Sequence, residues 1–294
     1  MINGRKTLSS LIQTKKTLSD HTTMGVGGPA DYFAEVQTID QLREVLLFKK
    51  THNLRHIVIG RGSNALFDDR GFKGLVILNR LSFLEKKDDR TLYVGSGYHF
   101  SLIGSQSARW GLSGLEFASG IPGSVGGAIF MNAGANGRET CENLTKVQFM
   151  NFDGDLITLQ KDQMTFRYRW SCFHELPGII TAATFQLTEH PQARARQLKI
   201  IKNRQSTQPL NEKSSGCMFR NPQGDHSGAL IEHCGLKGTR VGGAEVSLMH
   251  ANFIVNTGGA TAQNILDLVT LVQKRVKEKT GHDLHMEVRR IPYE

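Results

Sequence analysis

The chain has 294 residues, 39% of them apolar and 21% charged, with a formal net charge of +9, which excludes a disordered or fibrous protein by composition. The charge excess predicts acidic partners such as phosphorylated small molecules, nucleic acid or anionic lipid, without choosing among them. Four cysteines, at 141, 172, 217 and 234, form no C-x-x-C pair and have no histidine at zinc-ligand spacing, so neither a disulfide framework nor a metal site is expected.

The N-terminus lacks an apolar stretch of signal-peptide length before Lys15 and Lys16, which predicts a cytoplasmic protein. Tyr32 to Val36 alternates like a strand. Thr38 with Gln41 forms a capping box, and Leu42, Val45 and Leu46 give helical spacing up to Lys50. Arg55 to Ile59 reads as a buried strand, and Gly74 to Leu78 as another. Next come a strand over 91 to 95 and a helix over 101 to 110. The uncharged run from Phe117 to Ala135 holds five glycines and a proline, which exclude a spanning helix and predict buried loop and turn. Strands over 147 to 149 and 156 to 159 flank Asp153-Gly154, a hairpin signal, and Ile179 to Leu187 adds a further strand.

A boundary falls near Glu189-His190-Pro191. The basic run Arg194, Arg196, Lys199, Lys202 and Arg204, with Leu198 and Ile201 between its charges, reads as the solvated face of a helix. It carries no interleaved aromatics for base stacking, so it does not read as a nucleic-acid patch. Thr261 caps a long helix with Ile265, Leu268, Val269, Val272 and Val276 on one face and Gly281 as its stop. An alternating strand over 284 to 291 closes the chain.

Two glycine loops carry the strongest local signal. Gly60-Arg61-Gly62-Ser63-Asn64-Ala65 formally matches G-x-G-x-x-A, but the residues after Ala65 do not continue as a helix, so the Rossmann geometry fails. Gly120-Ile121-Pro122-Gly123-Ser124-Val125-Gly126-Gly127 offers consecutive backbone N–H groups without side chains to block approach, and it lacks the lysine of a P-loop. The pair predicts one diphosphate held from both sides.

The residues then become specific. His21 to Asp31, the Gly-Ser-Asn loop at 62 to 64, Gly114-Leu115-Glu116 running into the loop at 120 to 127, Met131 to Ala135, Tyr168-Arg169, Gly216 to Pro222, His250 to Asn256 and Glu287-Val288-Arg289 together resemble the UDP-N-acetylenolpyruvoylglucosamine reductase family, in the family's order. The resemblance implies an α+β fold: two subdomains of the vanillyl-alcohol-oxidase type clamping FAD, plus a C-terminal α+β substrate domain. It places subdomain 1 at residues 1–80, joined by the closing strand 284–294, subdomain 2 at 81–190 and the substrate domain at 195–283. The length is similar to that of the family's shorter subtype.

The activity implied is NADPH-dependent, FAD-mediated reduction of an enolpyruvyl UDP-sugar in peptidoglycan precursor synthesis, with FAD bound non-covalently. Partners are then the UDP-sugar and NADPH, not nucleic acid or membrane. The implied cofactor residues are Gly60, Gly62, Ser63, Asn64, Gly120, Pro122, Gly123, Ser124, Gly126 and Gly127. Arg169 would hold the substrate carboxylate and stabilise developing charge. Glu287 would act as an acid with a raised pKa, and Cys217 stands where many members have a serine that donates a proton. Tyr168 and Asn221 would contact substrate. Some relatives carry a diphosphate-binding lysine where this chain has Thr207, leaving Arg220, Lys237 or Arg240 as substitutes. Two other readings make different predictions: another flavin oxidase of the superfamily, with FAD tethered through His21 or Cys172, or a non-catalytic basic nucleotide- or RNA-binding module.

Overall fold

The computed structural model describes residues 11–294. The first ten residues, on which the reading of no export signal partly rests, lie outside the described residues. The described residues form two compact units, one of residues 11–14, 32–60 and 74–203, the other of 15–31, 61–73 and 204–294.

The first unit has two sheets of four or more strands among the described residues. In chain order its early elements are β1 (Ile12–Thr17), β2 (Pro29–Val36), helix α1 (Ile39–Thr51) and β3 (His56–Ile59). After β4 (Ala65–Phe67), in the second unit, comes β5 (Phe72–Asn79), giving a sheet in the order β1-β2-β5-β3 with β3 parallel to β5. Helix α1 buries Leu42, Val45 and Leu46, as its 3.6-residue spacing requires. Its capping box is half formed. The Gln41 N–H donates to Thr38 Oγ1 at 3.2 Å, but the Gln41 side chain accepts from the N–H of Gln37, one residue before the expected partner.

The second sheet is built from β6 (Leu84–Lys86), β7 (Thr91–Gly95), β8 (Leu144–Asn151), β9 (Leu156–Gln160) and the later strand β12 (Gly178–Gln186), in the order β9-β8-β12-β7-β6. The β8–β9 hairpin turns at Asp153-Gly154 with Met150 opposite Leu156, so that signal is borne out. Helix α2 (Phe100–Arg109) packs on this unit's core with Phe100 and Ile103 buried. The run from Phe117 to Ala135 is not loop throughout. Ser124 caps a six-residue helix, α3 (Val125–Phe130), whose Val125, Ala128 and Ile129 are buried. A short hairpin of β10 (Phe166–Arg167) and β11 (Trp170–Ser171) lies further along the chain.

Helix α4 (Ala193–Thr207) is the basic run. Arg196, Lys199 and Lys202 are exposed as expected, but so is Leu198, while Ala193 and Gln197 are buried and Arg204 is half-buried.

The second unit is centred on a sheet in the order β13-β16-β15-β14, formed by β13 (Lys213–Cys217), β14 (Arg240–Val241), β15 (Ala244–Val246) and β16 (Phe253–Asn256), with helix α5 (Ser227–His233) between β13 and β14. Helix α6 (Ala262–Thr280) lays Ile265, Leu268, Val269, Val272 and Val276 into one core with Met24, Leu66, Met218, Phe219 and Val288. Each such burial contributes about 1.5–3 kcal/mol. Thr261 caps this helix and Gly281, at φ 77°, ends it with its N–H on the Lys277 carbonyl. The carboxylate of Asp69 accepts from the N–H groups of Ala262 (2.7 Å) and Gln263 (3.0 Å), a second anchor at the positive end of the helix. The closing strand is shorter than its alternation predicts. Only β17 (Arg289–Ile291) pairs, in parallel with β4, while residues 284 to 288 form no strand and make a single bridge, Met286 to Phe219. No helix among the described residues is long and apolar enough to cross a membrane.

Candidate active site

Both ends of the glycine signal are held tightly in the first unit. A Cβ on Gly60 would stand 2.0 Å from Ser124 Oγ, so only glycine lets these two loops touch. The loop at 120 to 127 is pinned by its own donors. The N–H of Gly120 goes to Ser101 Oγ (2.7 Å), Ile121 to the Ala118 carbonyl (2.9 Å), Val125 to Tyr98 (2.9 Å), Gly126 to Ser96 (2.8 Å) and Gly127 to Ser124 Oγ (3.3 Å). The Gly123 carbonyl, beside Pro122, accepts from the Phe100 N–H at 3.1 Å. The expected run of consecutive open donors is thus largely spent inside the protein, because a loop free of side chains needs such bonds to hold one shape. What it offers a ligand is close approach.

Two features fit a bound dinucleotide. Gly127 sits on the first turn of α3, where a side chain is sterically allowed. Its Cβ would meet only Ser124 Oγ, at an ordinary 3.4 Å, so packing within the protein does not demand glycine there. Ser119, fully buried just ahead of the loop, has a hydroxyl with no partner among the described residues. The residues present therefore fit FAD.

Gly62, Ser63 and Asn64 belong to the second unit. Gly62 has φ 62°, and a Cβ on it would strike the His21 carbonyl oxygen at 2.0 Å. The Gly62 carbonyl accepts from Thr23, and the Asn64 carbonyl accepts from the N–H of Arg289 at 3.2 Å. The Gly-Ser-Asn loop is thereby tied to the chain two residues beyond Glu287.

Arg169 lies in the first unit at the turn of the β10–β11 hairpin, in the left-handed region at φ 56°. For a side-chain-bearing residue that conformation costs about 1–2 kcal/mol, so its surroundings must impose it. Its Nη2 donates to the Gly134 carbonyl at 3.2 Å, and its guanidinium lies 4.7 Å over the exposed ring of Tyr168. Asn132, fully buried, reaches the Arg167 carbonyl at 3.1 Å and Glu139 at 2.8 Å. The Met131-Asn132-Ala133-Gly134-Ala135 segment is thus the brace that aims the Tyr168-Arg169 turn.

Cys217 ends β13 in the second unit, opposite Phe253. The strand is irregular between Ser214 and Cys217, where Gly216 takes φ 74° with nothing within 4 Å of where its Cβ would be. The residues after it are clamped by buried Asn252, whose Oδ1 accepts from the Phe219 N–H (2.9 Å) and whose Nδ2 donates to the Phe219 carbonyl (2.8 Å). The Met218 carbonyl in turn accepts from the N–H of Glu287 at 2.8 Å, and the Arg220 N–H donates to His285 at 2.9 Å. Cys217 and Glu287 therefore sit on adjacent segments of one unit. Asn221 is partly committed to structure: its Oδ1 accepts from the Ser227 N–H at 3.1 Å at the start of α5.

Of the three candidate cations for the role of a lysine at exposed Thr207, two are engaged in ion pairs. Lys237 pairs with Glu232 and Arg240 with buried Glu245, each at 2.6 Å. Sequence reasoning overlooked Arg204 by grouping it with the solvated charges of α4. The signal was its position: Ala193, Gln197, Ile200 and Arg204 recur at helical spacing on the inward stripe.

Residues 30–160 match the family described as FAD binding domain, so the chain is an FAD-dependent oxidoreductase. Residues 208–291 match UDP-N-acetylenolpyruvoylglucosamine reductase, C-terminal domain. Since its likeness to such reductases also runs along nearly the whole chain, the chain belongs to the UDP-N-acetylenolpyruvoylglucosamine reductase family. It is 55% identical over 282 residues to that reductase from Protochlamydia amoebophila, covering 96% of this chain and 94% of the relative. It is 45% identical to the one from Chlamydia trachomatis serovar A, over 96% and 97%. The crystal structure of UDP-N-acetylenolpyruvylglucosamine reductase from Thermus caldophilus is similar throughout, with TM-score 0.79, 37% identity and coverage of 96% and 98%. The expected α+β architecture, an FAD-binding part followed by a C-terminal reductase domain, is borne out.

Proposed function

We propose a division of labour among Arg169, Cys217 and Glu287 in the reduction of UDP-N-acetylglucosamine enolpyruvate to UDP-N-acetylmuramate, the family's step in peptidoglycan precursor synthesis, with NADPH as donor. FAD, when bound, would supply the hydride chemistry that reduces the terminal vinyl carbon, with NADPH as the donor, which no side chain can do. Gly60 and the loop at 120 to 127, with Gly62, Ser63 and Asn64, hold the cofactor. Arg169 holds the substrate carboxylate through a fork of N–H donors and offsets the negative charge that builds on it as the vinyl carbon is reduced. Glu287 polarises the same carboxylate in its protonated form, and Cys217 delivers a proton from Sγ to the carbon bearing the ether oxygen. Tyr168 and the amide nitrogen of Asn221 contact the substrate.

This reading divides the chain into three domains: FAD subdomains at 1–80, with 284–294, and at 81–190, and a substrate domain at 195–283. The protein works in the cytoplasm, where the sugar nucleotide and NADPH are made, and takes neither nucleic acid nor membrane as partner. The observation that carries the assignment is the 2.8 Å bond from the Glu287 N–H to the carbonyl of Met218, which holds Glu287 beside the segment that carries Cys217. The test is anaerobic. NADPH added to the yellow protein bleaches the flavin absorbance, and the enolpyruvyl sugar nucleotide restores it. Bleaching without recovery on adding substrate would overturn the substrate assignment.

A further inference from the structure

A helix that packs against a protein normally turns an apolar stripe inward, but the inward stripe of α4 contains Gln197 and Arg204 and continues to Gln208. Arg204 Nε, Gln208 Oε1 and, from β13, Ser215 Oγ are buried with no hydrogen-bond partner among the described residues. A buried polar group without a partner calls for an explanation, a catalytic role or a bound water among them. In the second unit, Arg204 lies within electrostatic reach of Cys217, two residues beyond Ser215 on the same strand.

Given a proton-donor role for Cys217, on which this inference rests, we propose that Arg204 is the positioning residue for that thiol: its guanidinium holds the thiolate left when the proton has gone to substrate. In the step, the S–H bond breaks and its electron pair stays on sulfur, while the proton forms a C–H bond with the carbon made electron-rich by hydride addition. Solvent then returns a proton to sulfur. A guanidinium never gives up its own proton in this range, so it stabilises the anion without competing as the acid. It also explains how the chain functions with cysteine where relatives have serine. A thiolate is a stable leaving state that a fixed cation makes more accessible.

The other titratable groups around β13 do not supply this charge. Lys213 stands at the far end of the strand, against Gly25. His250, in the turn before β16, has its pKa lowered by burial, which disfavours its charged form. From the closing segment come His285 and Glu287, and an ionised Glu287 would oppose a thiolate.

The experiment uses the FAD-loaded full chain and measures alkylation of the Cys217 peptide by iodoacetamide against pH, by mass spectrometry, beside stopped-flow flavin reduction and reoxidation. Arg204→Met is expected to move the alkylation midpoint up by about one to two pH units. It should slow reoxidation by substrate about tenfold or more and leave reduction by NADPH unchanged. Arg204→Lys keeps the charge and should keep the midpoint near that of the parent protein. A midpoint unmoved in Arg204→Met, or moved equally in Arg204→Lys, overturns the proposal. So does a rise in KM with kcat unchanged, which would make Arg204 a substrate-binding group. If Arg204→Met fails to retain FAD, Arg204→Gln takes its place with the same criteria. Cys217→Ala separates the two readings: normal turnover in it removes the proton-donor role itself, whereas a dead alanine variant with an unmoved Arg204→Met midpoint removes only Arg204.

Discussion

The main-chain N–H of Glu287 donates to the carbonyl of Met218, the residue after Cys217, at 2.8 Å. Because this tie is made by backbone, both side chains can be exchanged without breaking it. Glu287→Gln is therefore expected to fold and hold FAD normally, to be reduced by NADPH at the parent rate, and to lose about a hundredfold or more in reoxidation by substrate. Stopped-flow traces of the two half-reactions check this, and an unchanged reoxidation rate would remove Glu287 from the chemistry.

Exchange of the thiol gives a graded outcome. Cys217→Ser should keep substantial turnover, since the hydroxyl fills nearly the same position and still carries a transferable proton. Cys217→Ala should let NADPH bleach the flavin but block the return of colour on adding substrate. Full turnover by the alanine variant would disprove the assignment.

Gly127 separates folding from cofactor binding. A Cβ there meets only Ser124 Oγ at 3.4 Å, and alanine is the better helix former by about 0.8–1.0 kcal/mol. The FAD-free Gly127→Ala protein should thus be at least as heat-stable as the parent, yet retain less flavin through gel filtration. Gly60→Ala should instead destabilise the FAD-free protein, because its methyl would collide with Ser124 Oγ at 2.0 Å. Equal flavin content in Gly127→Ala and parent would show that this glycine has no part in the cofactor site.

His56 contributes a pH dependence of known sign. Burial, aided by the charge of Lys49, lowers its pKa from 6.5 to about 4, and its ring packs edge-on to Phe152 at 4.7 Å. Between those values the unfolded chain binds a proton that the folded chain does not, so stability falls as pH drops from about 6.5 towards 4. The thermal midpoint of the parent should decline over this window more steeply than that of His56→Phe. Parallel declines would show that His56 titrates alike in both states.

The architecture was legible where local rules and tertiary demands agree. Thr261 and Gly281 bracket α6, and the apolar spacing between them sets its buried face. The hairpin at Asp153-Gly154 was equally plain. Elsewhere, decisions made by distant residues had no local trace. Strand pairing of residues 284 to 288 depends on whether a neighbour offers an edge, and alternation alone cannot say that it forms one isolated bridge, to Phe219. The row of N–H groups at 120 to 127 read as open because three of their acceptors, Ser96, Tyr98 and Ser101, lie far earlier in the chain. Arg204 was hidden by composition. Among neighbouring charges that face water, the half-buried one is told apart only by counting turns of the helix. The roles of Arg169, Cys217 and Glu287 came from motif resemblance and had no basis in periodicity.

The Asp69 carboxylate that anchors Ala262 and Gln263 joins residues 193 and 194 positions apart in the chain. During synthesis, then, the second unit must wait for nearly the whole polypeptide to leave the ribosome before its longest helix gains that anchor. The piece spanning 208–291, cut out and expressed by itself, would lack this carboxylate together with Met24 and Leu66 of its core. A minimal soluble fragment for screening inhibitors of the thiol-bearing half should therefore be sought by circular permutation, not by truncation.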